Sequence, residues 1–147
     1  MEMLIENSSV QVETDFRELL REYDISPTQQ RLEIAQLMLS EPQHLSADQV
    51  MAMLTGSEQH VSKATVYNTL GLFARKGLIR EVVVDPTRLF YDTNTSRHHH
   101  FYNVDTSELT DVPADGFQVS ALPEAPAGTE IEGVEVIVRL RASSVQQ

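Results

Sequence analysis

The chain of 147 residues contains no cysteine. That absence excludes disulfides, thiolate nucleophiles, iron–sulfur clusters and every cysteine-built zinc site, so a bound metal must be held by His, Asp or Glu. Such nitrogen and oxygen donors suit Fe(II), Mn(II) or Zn(II) better than Cu(I). No run of about eighteen apolar residues occurs, so no helix is expected to span a membrane. Met1 to Glu13 lacks the basic start and apolar centre of a secretion signal and is expected to form a short arm of a cytoplasmic protein. No internal repeat, nucleophile–base pair or phosphate loop is present. Positive charge is scarce too: 11 Lys and Arg stand against 22 Asp and Glu, for a net −11. The total argues against nucleic acid; the distribution fits either an electrostatic footprint or an ordinary solvated helix face. Between Gln59 and Arg80 lie Lys63, Arg75, Lys76 and Arg80 with no acid among them.

What is present has a clear order. Val12, Phe16, Leu19, Leu20 and Tyr23 recur at helical spacing and predict a first amphipathic helix. Ser26-Pro27 predicts the N-cap and first position of a second, which carries Leu32, Ile34, Ala35, Leu37 and Met38 and stops at Pro42. Ser46-Ala-Asp-Gln49 is a capping box for a third helix with Val50, Met51 and Leu54, closed by Gly56. A fourth helix starts at Ser62, turns Val66, Tyr67, Leu70 and Phe73 inward or half inward, and stops at Lys76-Gly77. Leu78 to Val84 and Arg88 to Asp92, joined by Asp85-Pro-Thr, predict a β-hairpin. Short helices followed by a hairpin predict a winged helix-turn-helix whose last helix enters the major groove.

After Asp92 the pattern changes. His100 to Val104, Glu108 to Val112 and the alternating run from Val134 to Arg141 predict three strands. Leu122-Pro-Glu-Ala-Pro-Ala-Gly128 predicts an irregular connection rather than a helix. A sheet this small rarely stands alone, so pairing with a second copy is expected.

Histidine is sparse, and His60 is read as structural or solvated. His98 and His100, two apart, share a strand face while His99 points away. With Asp92 upstream they make a two-His, one-carboxylate set, which is an Fe(II) environment.

Ser26-Pro-Thr-Gln-Gln-Arg31, His44-Leu-Ser-Ala-Asp48, Ala64-Thr-Val-Tyr-Asn-Thr-Leu70, Gly77-Leu-Ile79 and the cluster beginning at His98 follow one another in an order that resembles the ferric uptake regulator family. The resemblance covers roughly residues 12 to 112, with a looser match in the last strand. It implies an α+β homodimer: a winged-helix DNA-binding domain (1–91, with the arm) and a small α/β dimerisation and metal-sensing domain (92–147). It implies that Lys63, Thr65, Tyr67 and Asn68 approach bases of a double-stranded operator and that Arg31 contacts a phosphate. The iron-uptake branch commonly has arginine where Asn68 stands; asparagine is more similar to the peroxide-responsive and haem-linked iron-response branches. The peroxide-responsive branch implies five metal ligands, at His44, Asp92, His98, His100 and Asp111, for Fe(II) or Mn(II).

One departure is informative. The family's structural zinc commonly uses two Cys-x-x-Cys pairs; here Asn103 and Thr106 stand in the first pair's positions and the second pair is missing. The second domain is therefore expected to hold together by packing and dimerisation, without a four-cysteine zinc. The resemblance implies a repressor that loses its metal when peroxide oxidises His44 or His98. The alternative it implies is a haem-linked iron-response regulator, with His99 in the His98–His100 run meeting haem. Two outside readings remain at this point: a small non-haem iron oxygenase built on Asp92, His98 and His100, and a winged helix that binds only protein.

Overall fold

The computed structural model describes residues 15–54, 61–113 and 115–144. Val12, Gly56, His60 and the arm from Met1 to Glu13 lie outside the described residues. The chain divides into two compact units, Met1–Thr95 and Ser96–Gln147.

In the first unit, α1 covers residues 15–22 and is followed by α2 (Gln29–Leu39), β1 (His44–Ser46), α3 (Ala47–Leu54), α4 (Lys63–Arg75), β2 (Arg80–Asp85) and β3 (Arg88–Asp92). Two helices end in the same way. After α1, Asp24 adopts φ +59°, with Ile25 N–H donating to Leu20 O at 2.8 Å and Asp24 N–H to Arg21 O at 3.0 Å. After α4, Gly77 adopts φ +84°, with Leu78 N–H on Phe73 O at 2.9 Å and Gly77 N–H on Ala74 O at 3.1 Å. Both are left-handed helix stops that satisfy terminal carbonyls and turn the next apolar residue into the core. Lys76 Nζ reaches Asp24 at 3.2 Å and ties the two stops together.

The helix starts agree with the sequence at α3 and α4 but not at α2. Ser46 and Gln49 exchange both capping bonds (2.8 and 3.1 Å), and Ser62 Oγ accepts from Thr65 N–H at 3.1 Å. For α2 the cap is Thr28, which accepts from Arg31 N–H at 3.3 Å, so Pro27 precedes the helix instead of opening it. Ser26 O is used differently, by the Arg31 guanidinium at 2.8 Å.

The core of this unit joins Leu20, Leu32, Ile34, Met38, Val50, Val66, Leu70, Phe73 and Ile79. Along α4 the inward stripe is Val66, Thr69, Leu70 and Phe73. Tyr67, expected inward or half inward, is 41% exposed, and the helical period gives the buried place to Thr69. Tyr23 likewise lies beyond α1 and is exposed. Leu78 and Ile79 belong to the core rather than to β2, which starts at Arg80. The sheet order is β1-β3-β2, all antiparallel. The three-residue β1 had no counterpart in the sequence reading.

The second unit is a sheet of order β5-β4-β6, formed by β4 (His100–Asn103), β5 (Glu108–Asp111) and β6 (Ile137–Leu140). Its described residues include no helix. β4 pairs with β5 antiparallel and with β6 parallel, so the proline-containing run after β5 makes the crossover that usually carries a helix. β6 is shorter than the alternating run predicts. Val136 diverts its N–H to His99 Nδ1 at 3.0 Å, and its C=O accepts from His100 N–H at 3.1 Å. The turn between β4 and β5 is closed by Asn103, whose Oδ1 accepts from Asp105 N–H (3.0 Å) and Thr106 N–H (3.2 Å). Asp105 Oδ2 then accepts from Ala142 N–H at 2.6 Å. Hydrogen bonds thus occupy the place where a cysteine pair was missing, in addition to the packing expected there.

Candidate metal centre and nucleic-acid interface

In the first unit the pairing of β1 with β3 sets His44 directly opposite Asp92. Gln43 fixes β1 from both sides: its side-chain amide donates to Leu37 O (2.7 Å) and Met38 O (2.8 Å) at the end of α2, and its N–H donates to Thr93 Oγ1 at 3.1 Å. His44 Nε2 lies 3.0 Å from Asp92 Oδ2, and Asp92 is buried. A buried carboxylate needs donors or a cation. Asn94 N–H supplies one donor, to Oδ1 at 2.9 Å, and His44 faces the other oxygen.

In the second unit the β4–β5 register sets His100 opposite Asp111. His98 precedes β4 rather than lying in it, yet its ring stands 4.3 Å from that of His100. Asp111 Oδ1 is 3.0 Å from His98 Nε2 and 3.5 Å from His100 Nε2. One ligand atom from each of these three residues lies within 4.8 Å of the others.

The far side of each ring is informative. His98 Nδ1 is 2.7 Å from Ser96 O, and His100 Nδ1 is 3.5 Å from Glu135 Oε1. Each imidazole therefore faces an oxygen acceptor at both nitrogens. A neutral imidazole carries a single N–H and serves only one of the two, so a metal ion at Nε2 would complement the arrangement. Imidazole nitrogens and carboxylate oxygens are the donor set that Fe(II), Mn(II) or Zn(II) accepts, and a metal fits these residues.

His99 turns to the opposite side. Its Nδ1 accepts from Val136 N–H, and its ring meets Phe117 edge-on at 4.9 Å.

On the first unit, Arg31, Thr65 and Asn68 line one cleft of about 280 Å³ together with Thr28, between the start of α2 and the middle of α4. Lys63 and Tyr67 lie one turn apart on α4, with Lys63 Nζ 5.7 Å from the Tyr67 ring centroid. Both meet Asp48, which lies 3.5 Å from Lys63 Nζ and accepts from Tyr67 O–H at 3.4 Å. The contacts of Asp48 with Lys63 and Tyr67 were not foreseen from the sequence, where it stood only within the capping-box segment and the His44–Asp48 family motif. Glu135 was not foreseen either, because it read as one position of an alternating strand with no signal linking it to His100. Behind α4, burial and then Glu81 and Tyr67 push the Tyr91 hydroxyl up to about 12.

A helix-turn-helix unit with a hairpin wing, followed by a sheet unit that gathers imidazoles and carboxylates, fits a metal-responsive transcription regulator, the class to which the family match assigns the chain. The chain belongs to the ferric uptake regulator family, whose sequence model matches residues 22–138. It is 29% identical over 109 residues to the peroxide-responsive repressor PerR of Staphylococcus aureus strain Mu50, covering 70% of this chain and 74% of that protein. Its fold is similar to that of the ferric uptake regulator of Pseudomonas aeruginosa solved with manganese (TM-score 0.62, 23% identity, 87% of this chain and 98% of that one). It is also similar to the Francisella tularensis ferric uptake regulator solved with iron (TM-score 0.64, 22% identity, 82% and 93%). Members of the family are dimeric DNA-binding regulators rather than enzymes. Among the described residues no helix is long and apolar enough to cross a membrane.

Proposed function

We propose that this chain is a homodimeric repressor in which His44, Asp92, His98, His100 and Asp111 together hold one Fe(II) or Mn(II) ion, and that it senses peroxide by oxidation of a ligand histidine. The observation that carries the reading is the pair of His/Asp clusters, His44 on Asp92 and His98 with His100 on Asp111. The short run from Asp92 to His98 connects them, so one ion can draw on both without closing a long loop. Ion binding then favours whichever conformations bring the clusters together, and its differential affinity sets the size of that shift. In those conformations α4 of each protomer enters the major groove of an operator half-site. Lys63, Thr65, Tyr67 and Asn68 approach the bases, and Arg31 meets a phosphate beside Asn68 in the same cleft.

Fe(II) held there would supply the activation of peroxide, with His44 or His98 as the imidazole that would gain one oxygen atom of H2O2 while the other leaves as water. The oxidised histidine is then a poorer ligand, and the two clusters lose their common ion. The similarity to a peroxide-responsive repressor supports this signal. The haem-linked alternative is less well supported, because His99 is held by Val136 and Phe117 inside the sheet unit.

The test loads the protein with Fe(II) without oxygen, adds modest peroxide and maps peptides by mass spectrometry. One added oxygen is expected on His44 or His98, and none after loading with Mn(II). Methionine oxidation without histidine oxidation would overturn the peroxide reading and make a haem titration the next step. In a parallel measurement, His98→Ala should abolish metal-dependent operator binding while leaving the circular dichroism spectrum unchanged. Undiminished binding would remove His98 from the ligand set.

A further inference from the structure

The two histidines of the second unit turn Nδ1 toward oxygens of different kinds, His98 at hydrogen-bond distance and His100 at the longer reach of an ion-pair contact. His98 has its Nδ1 on a backbone carbonyl, Ser96 O, at 2.7 Å. His100, fully buried in β4, has its Nδ1 3.5 Å from a side-chain carboxylate, Glu135. Both leave Nε2 toward Asp111. A carbonyl is fixed wherever the backbone goes, whereas a carboxylate depends on one side chain, and that side chain lies far from His100 in sequence. The parallel pairing of β6 with β4 delivers it: His100 is in register with Ile137, two residues beyond Glu135.

We propose that Glu135 is the positioning residue for His100. Its carboxylate accepts the Nδ1 proton, holds the ring in the tautomer that presents Nε2, and raises the basicity of that nitrogen toward the metal. Glu135 acts through His100 and is not itself a member of the ligand set. The inference rests on the metal-site reading above.

Two readouts on the full chain separate this role from a structural one. The first uses metal-free protein at mildly alkaline pH, with the imidazole nitrogens observed by nitrogen-15 magnetic resonance. His100 is expected in the Nδ1–H form, to leave that form in Glu135→Ala, and to return to it in Glu135→Gln, whose amide oxygen can accept the same proton. His98 should not change in either variant. The second readout is Mn(II) affinity, expected to fall about 10- to 100-fold in Glu135→Ala and to recover largely in Glu135→Gln. If Glu135→Ala fails to fold, Glu135→Gln against wild type still decides: a His100 ring in the Nε2–H form in both overturns the proposal. A ring unmoved by Glu135→Ala, or Mn(II) binding equal to wild type, overturns it while the metal site stands. Wild-type protein that takes up no Mn(II) overturns the metal reading, and the positioning role with it.

Discussion

From residue 15 to Thr95 the chain closes a core of its own, whereas from Ser96 onward it leaves large apolar side chains in the open. Every member of the main core cluster, from Leu20 to Tyr91, belongs to the first unit. The second buries Tyr102, Leu109 and Val112 but exposes Val104, Phe117, Val119, Leu122, Ile131, Val134 and Leu140. Only Leu140 of these lies in a strand; the rest flank the sheet, and apolar surface of that kind is costly in water and favours association. The contrast teaches a division of labour. On the proposed function, the unit with the larger core reads DNA, and a sheet paired with a second copy makes one switch act on two such units at once.

The largest effect that would test this contrast is Phe73→Ala. Phe73 is fully buried at the centre of the first unit, and its truncation should cost about 3–5 kcal/mol. Hydrogen exchange should show protection lost through α1 to β3 while β4, β5 and β6 keep theirs and the dimer persists in sedimentation. Equal loss in both units would show that the first does not stand on its own core.

A smaller effect concerns pH. Burial is the main reason that Tyr91 ionises only near about 12 rather than its ordinary 10, with Glu81 and then Tyr67 adding to it. The unfolded chain releases this proton from pH 10 upward, and the folded chain does not until about 12. Stability should therefore be complete below pH 10 and fall by about 2–3 kcal/mol on the way to pH 12. Urea midpoints across that window measure it, and Tyr91→Phe should flatten the slope. An unchanged slope would mean that another group controls alkaline unfolding of the first unit.

Next in size is Asn68→Ala, which tests whether base reading belongs to the first unit as proposed. Loss of a good base contact is worth about 1–3 kcal/mol of discrimination. Operator preference should fall while binding to unrelated duplex is retained. A uniform loss on both would assign Asn68 a structural part in the cleft it shares with Arg31.

How far such features could be read in advance depended on how local their causes are. The stops at Lys76-Gly77, the Ser46/Gln49 box and the β4–β5 pair follow from neighbouring residues and were legible. Asp92, His98 and His100 were singled out by spacing, whereas His44 and Asp111 came only from the family resemblance; folding sets His44 on Asp92 and His98 with His100 on Asp111. His44 faces Asp92 because a three-residue strand pairs with β3, and nothing within His44-Leu-Ser46 announces that partner. Glu135 approaches His100 through a parallel pairing across a long crossover, which periodicity cannot specify. The α2 cap went to Thr28 because two candidate hydroxyls lay close together, and the Arg31 bond to Ser26 O accompanied that choice.

The smallest effect tests what holds the second unit together besides association. Where a metal-linked cysteine pair was missing, Asn103 closes the β4–β5 turn and Asp105 fastens it to Ala142 beyond β6. The same two segments are also joined by Val104 N–H on Leu140 O at 2.9 Å. The turn and the far end of the chain are thus linked by hydrogen bonds, one of them to a carboxylate. Asp105 is exposed, so water competes for both partners and the bond should contribute about 1 kcal/mol. Asp105→Ala should therefore speed hydrogen exchange at Ala142 and Val104 and lower the second unit's stability slightly, with no change in α1 to β3. Asp105→Asn, which keeps an acceptor, should restore most of the protection. If Asp105→Ala leaves exchange at Ala142 unchanged, the Asp105 bond contributes nothing, and strand pairing and the Val104–Leu140 bond hold the two segments without it.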